Sequence, residues 1–250
     1  MPDPQQNPGC RAAAVEIEGQ LCAEERRMLT DTILGMVEKP RIIVEVGTWL
    51  GGGSTAHILR ALHKNGEGHL WGMEATKDIY DKMLANISAA VPEAADRFTP
   101  LFGFSSEVLP AWIKALPPGS KIDLAFLDGG DNPNEQIEEF KLLAPLTRVG
   151  GVIMGHDANM RKGKWFVPYV SLLDNWESKV FDYSREGLFL ARKIREEPST
   201  ESFNAAERQL SKLQCKPIDL VARMLPSSFK GVVLRVVPKP VFDFLFKGRK

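Results

Sequence analysis

The 250-residue chain is poor in cysteine, in net charge and in long apolar runs. Its three cysteines, Cys10, Cys22 and Cys215, are odd in number and lack metal-ligand spacing, which argues against a disulfide framework or a zinc module and for a reducing compartment. No apolar run approaches the roughly 18 residues that span a bilayer. Asp3, Glu16, Glu18 and Glu24 occupy the beginning of the chain without an apolar h-region, so no secretory signal is read and the expected location is cytoplasmic. Lys plus Arg equals Asp plus Glu, at 32 each, which excludes a whole-chain polycation built for nucleic acid. The balance conceals a skew. Residues 210–250 hold nine basic side chains against two acids, a charge of +7 that leaves −7 on residues 1–209.

What is present is a strand–helix alternation. A helix is expected from Ala23 to Val37, ended by Pro40. Short β-branched or apolar runs then recur at Arg41–Gly47, His69–Glu74, Arg97–Gly103, Ile122–Asp128, Gly151–His156, Lys179–Tyr183 and Gly187–Lys193. Helical stretches separate the first six, over 55–64, 79–91, 107–116, 134–146 and 167–176. This predicts an α/β, Rossmann-like doubly wound sheet of seven mostly parallel strands. Only Ser184, Arg185 and Glu186 separate the last two strands, too few for a parallel crossover, so they must form an antiparallel closing hairpin. The expected organisation is an arm over 1–22, a domain over 23–194 and a basic C-terminal extension over 195–250, with a helix at 203–213.

Chemistry concentrates in the turn after the first strand, Val44–Thr55 (VEVGTWLGGGST). Glycines there let a ligand approach the backbone at the carboxyl end of the sheet, next to a helix N-terminus. The dinucleotide fingerprint fails because Trp49 stands where its second glycine belongs, and the loop has no lysine for a P-loop. Glu45, just before the first glycine, repels phosphate and suits a cofactor carrying an ammonium and a sulfonium. Glu74, ending the second strand, is placed to accept hydrogen bonds from both hydroxyls of a ribose.

With EVGTWLGGGST, GMEATKDIY, LFGFSSEVLPAW, IDLAFLDGGDNPNEQ, LTRVGGVIMGHDAN and GLFLARK in that order, the chain from Arg41 to Lys193 resembles the class I S-adenosylmethionine-dependent methyltransferases. Within them it is similar to the small O-methyltransferases that include the catechol type. The resemblance implies S-adenosylmethionine as cofactor. Glu45, Gly47, Thr48, Gly51, Gly53 and Ser54 would hold its methionine end, with Gly53 and Ser54 alternatives for its carboxylate; Glu74 would hold the ribose and Ser105 the adenine. Asp128 would face the cofactor's amino group, a metal, or both, and Asp157 would be the second metal carboxylate. Two strand-end acids suit Mg²⁺, which prefers oxygen ligands and water. Asp131 stands where the catechol branch carries a lysine base. His156 is the replacement expected, its pKa near 6.5 needing little tuning; the rival is a metal-free site where His156 or Asp157 alone acts as base.

Side chains alternate along a strand, so His156 and Asp157 share a face only if the fifth strand ends at Gly155. Lys162, Lys164 and Trp165 are expected in the loop beyond, steering an acceptor or simply solvated. The expected reaction is O-methylation of a small-molecule hydroxyl, with or without Mg²⁺, and no nucleic acid is implied. The alternatives are N-methylation or a catalytically silent binding protein. The basic, apolar tail would pack on the domain or a second subunit rather than on an anionic membrane, since its prolines break any continuous amphipathic helix.

Overall fold

The computed structural model describes residues 17–214; the tail from Cys215 onward and the arm before Ile17 lie outside them. A seven-stranded sheet forms the centre, built from β1 (Ile42–Val46), β2 (His69–Glu74), β3 (Phe98–Phe102), β4 (Ile122–Leu127), β5 (Thr147–His156), β6 (Trp176–Phe181) and β7 (Leu188–Lys193). Its order is β3-β2-β1-β4-β5-β7-β6. Strands β1 to β5 pair in parallel, and β7 inserts antiparallel between β5 and β6. The closing hairpin inferred from a three-residue gap is therefore present. The chain reverses its winding between β1 and β4, whose carboxyl ends form the crevice where doubly wound sheets bind ligands.

Helices α1 (Ala23–Leu34), α2 (Thr55–Asn65) and α3 (Lys77–Ala90) cover one face. Helices α4 (Ser105–Ala115), α5 (Pro133–Leu143), α6 (Gly163–Val170) and α7 (Thr200–Gln214) lie on the other. Strand alternation divides the core between them. Ile43, Leu124, Phe126, Val152 and Met154 face α1 and α2, whereas Val44, Val46, Ala125, Leu127 and Ile153 face α5 and α6. Central strands buried on both faces read as unbroken apolar runs, which is why IIVEV and IDLAFL were recognisable. Helix α7 sets Ala206 and Leu210 into the second of these clusters.

The bounds of α6, β5 and β6 depart from the sequence reading, with β6 opening at Trp176 instead of Lys179. Helix α6 starts at Gly163, not Val167, and carries Pro168 in its interior. Burial of Trp165, Phe166, Tyr169 and Val170 outweighs the hydrogen bond lost at Pro168. Strand β5 ends at His156 as expected but begins at Thr147, four residues before the expected Gly151.

Candidate active site

At the carboxyl ends of β1, β2 and β4 lies an open cavity of about 510 Å³. Gly47, Glu74, Ser105 and Asp128 line it, with Trp49, Phe104, Gly130 and Asp131. Its size falls in the range of small-ligand sites. Gly47 takes φ 86°, and a Cβ there would stand 2.3 Å from the Asp128 carbonyl oxygen, so only glycine lets the turns after β1 and β4 meet. Glu74 accepts the Trp49 N–H at 3.1 Å and the Thr76 N–H at 2.8 Å, fixing its carboxylate at the rim. Ser105 donates to Glu139 at 2.6 Å. Burial pushes the Glu139 carboxyl up to about 7 against that bond.

The other residues expected at the cofactor lie behind the wall. Glu45 points the same way as Ile43, into the sheet's α1/α2 face, where it accepts hydrogen bonds from Ser54 and, at 2.8 Å, from Thr55. Burial raises its carboxyl to about 7 despite those bonds. Glu45 and Ser54 thus hold the loop to the sheet. Gly52 and Gly53 face a strap at Ile17–Leu21 instead of the cavity. A Cβ on Gly52 would lie 2.3 Å from the Glu18 carbonyl oxygen, and Gly53 is in contact with Gln20 and Leu21. Thr48 and Gly51 are buried and do not line the cavity either.

Beside the cavity, Asp128, His156 and Asp157 bring three donor atoms within 4.8 Å of one another. Leu127 pairs with Gly155, so the residues that follow are neighbours across the sheet. Asp157 reaches the same side as His156 although strand alternation alone would place it opposite. It adopts a left-handed backbone, φ 59°, which turns the chain at the end of β5. Such a conformation in a non-glycine residue is uncommon, and aspartate is among those that tolerate it.

His156 is 2% exposed and lies among three carboxylates. Its Nε2 is 3.4 Å from Glu25 of α1, and its Nδ1 is 3.4 Å from Asp128 and 3.8 Å from Asp157. These are ion pairs, since neither ring nitrogen makes a well-aligned hydrogen bond. Burial alone would lower the imidazole pKa, but Asp128, Glu25 and Asp157 outweigh it and raise it to about 10. At neutral pH the ring is an imidazolium, with no lone pair to take an acceptor's proton. Burial raises Glu25, yet His156, a 2.6 Å bond from Ser184 and a 2.9 Å bond from the Cys22 N–H bring it down to about 2.

Lys162, expected in an open loop, is 3% exposed. Its Nζ donates to Asp128 at 2.7 Å, Asp157 at 3.0 Å and the Gly129 carbonyl at 3.1 Å. Burial would lower its pKa, but the two aspartates raise it overall. In the same way burial pushes Asp128 up, and His156 and Lys162 hold it below the usual carboxylate range. With this ammonium between the two carboxylates, the set does not fit Mg²⁺ as a resident ion. Trp165 is buried in the core, and of the three residues assigned to that loop only Lys164 is exposed. Glu25 was missed; its signal was the Cys22-to-Glu25 capping-box spacing at the start of α1.

Residues 44–158 match the family described as a methyltransferase domain. Over that segment the chain is similar to a methyltransferase domain, and its fold resembles that of class I S-adenosylmethionine-dependent methyltransferases, the O-methyltransferases among them. Among solved structures, the chain is similar to an O-methyltransferase of Bacillus cereus in complex with S-adenosylhomocysteine, at 21% identity and TM-score 0.57, covering 70% of this chain and 82% of that one. TomG of Streptomyces achromogenes, an O-methyltransferase involved in tomaymycin synthesis and solved with S-adenosylmethionine, gives 20% identity, TM-score 0.58 and the same coverage. A methyltransferase of Geobacter sulfurreducens gives 16% identity and TM-score 0.53 over 70% and 81% of the two chains. Identities this low carry the fold. No curated protein matches the chain. Among the described residues no helix is long and apolar enough to cross a membrane.

Proposed function

We propose that the protein transfers a methyl group from S-adenosylmethionine to a hydroxyl of a small molecule. The observation that carries this reading is a cavity with one carboxylate, Glu74, on its β2 side and another, Asp128, on its β4 side, meeting at Gly47. That spacing of acids suits a ligand with a ribose diol at one end and cationic groups at the other. Gly130 and Gly103 leave room along the wall, and Ser105 and Phe104 flank the end expected to take the adenine.

S-adenosylmethionine supplies a methyl group on a good leaving sulfur. What remains for the chain is to align the acceptor and take its proton as the O–C bond forms and the C–S bond electrons pass to sulfur. Asp157 is the group we assign to that proton, being the most exposed of the cluster, with 23% of its side chain accessible against 2% for His156. His156 and Lys162 then act as fixed cations, stabilising negative charge as it builds on the acceptor oxygen. Three acceptor groups around each keep both in place before any substrate arrives.

Calorimetric titration with S-adenosylhomocysteine tests the cofactor. Binding is expected, and Glu74→Ala should weaken it by roughly 10–100-fold through lost charge-assisted hydrogen bonds. Tight NAD binding without S-adenosylhomocysteine binding would refute the reading. Mass spectrometry of reactions with phenols, sugars and hydroxy acids tests the acceptor. A product methylated at nitrogen corrects the acceptor atom, and binding without any product favours a silent binding protein.

A further inference from the structure

We infer that Lys162 is the site's own cation, standing where a divalent ion bridging Asp128 and Asp157 would stand, and that it makes the site independent of added metal. Three observations converge on this. Asp128, His156 and Asp157 present donors in a cluster that otherwise suits a metal. The Lys162 ammonium lies inside that cluster and spends its three hydrogens on Asp128, Asp157 and the Gly129 carbonyl. The chain is also built to bring it there. Asp157 turns left-handed, and Gly163 packs so tightly on the turn that a Cβ would stand 2.3 Å from the Ala158 carbonyl oxygen.

A divalent ion would have to displace a buried ammonium and break its three bonds, while His156 and Glu25 stay in place beside it. A surface lysine swings aside at little cost; one this deep, at 3% exposure, does not. Lys162 is a positioning residue, since it does not line the cavity and acts through the two aspartates it joins. The substitution changes the substrate class. A metal grips two neighbouring oxygens of a chelating diol by exchanging its waters. An ammonium with all three hydrogens committed offers no such grip, so the acceptor needs one hydroxyl and gains nothing from a second beside it. This corollary rests on the methyl-transfer reading; occupancy of the cation position does not.

The decisive measurement is titration of the full-length protein with Mn²⁺, followed by the electron paramagnetic resonance of the free ion. Wild type should leave the free-ion signal unchanged. Lys162→Ala should bind one Mn²⁺ on the order of tenfold tighter or more, because a unit positive charge at contact distance is gone, and Asp157→Asn in that background should abolish the gain. Stoichiometric Mn²⁺ binding by wild type that Asp157→Asn removes would overturn the inference, as would a folded Lys162→Ala with no gain. If Lys162→Ala does not fold, Lys162→Gln replaces it, with circular dichroism as the check. In turnover assays, wild type should keep its rate in excess EDTA and should methylate a monophenol as readily as a catechol. A rate lost to EDTA and restored by Mg²⁺ would also overturn it. Failure of S-adenosylhomocysteine to bind, with the Mn²⁺ results as expected, would sink the methyl-transfer reading and leave Lys162 in its role.

Discussion

Replacing His156 by glutamine should remove a pH-dependent share of stability whose size and window follow from the ring's surroundings. The imidazole rises from 6.5 to about 10, which sets a ceiling of about 5 kcal/mol. Glu25 falls from 4.5 to about 2, which gives about 3 kcal/mol. The two describe a shared attraction and do not add; the smaller is the better guide, because His156 also gains from Asp128 and Asp157. A group whose pKa is raised on folding stabilises fully below its unfolded value and loses that contribution as pH climbs through the folded one. The window for His156 is therefore between about 6.5 and 10. Urea unfolding of wild type and His156→Gln at about pH 6, 8 and 9.5 measures it. The gap should be about 3 kcal/mol at the lowest pH and narrow by roughly 2 kcal/mol by about pH 8. A gap that stays constant across the series would refute the assignment of a charged, paired ring.

Gly52→Ala should destabilise by about 1–3 kcal/mol, because the new methyl would collide with the carbonyls of Ile17 and Glu18 and lift the strap from the loop. Thermal melting reports the loss, and limited proteolysis should then cut within residues 17–21. Glu45→Gln should flatten the stability profile between about pH 4.5 and 7. The buried carboxyl is raised to about 7, so its contribution is complete below 4.5 and lost as pH rises through the folded value. Wild type should lose up to about 3 kcal/mol across that interval that the variant keeps, and identical slopes in urea titrations would count against a neutral Glu45.

The sheet and its hairpin were legible because their signals are local: buried strands as unbroken apolar runs, and a three-residue gap that permits only an antiparallel return. Strand-end acids were equally visible, and Asp128 and Asp157 do meet. The centre of the cluster was not visible. Lys162 reads as a solvated lysine in RKGK, and only the tight turn closed on Gly163 carries it back under Asp157. The alternation rule separated His156 from Asp157, and a single left-handed residue undid it. Glu25 lies 131 positions before His156 in the chain, and its local signal, the capping-box spacing from Cys22, announces a helix start rather than a partner. In the glycine loop Gly47 lines the cavity, while Gly52 and Gly53 answer to the strap.

The last bond of this centre to close waits for the insertion of β7. Glu25 accepts from Ser184 across 159 residues of sequence, and Ser184 belongs to the turn that delivers β7 to the flank of β5. Strand β6 has β7 as its partner in the sheet, so neither edge of that hairpin exists until residue 193 has emerged from synthesis. Contacts this distant in sequence close late, after the entropy of a long loop has been overcome. A nascent chain can therefore fold β1 to β4 and their helices while the charges on α1 still face water. Within the centre only the Ser184 bond to Glu25 waits for that insertion, since the ion pairs of His156 and Lys162 all lie within residues 25–162.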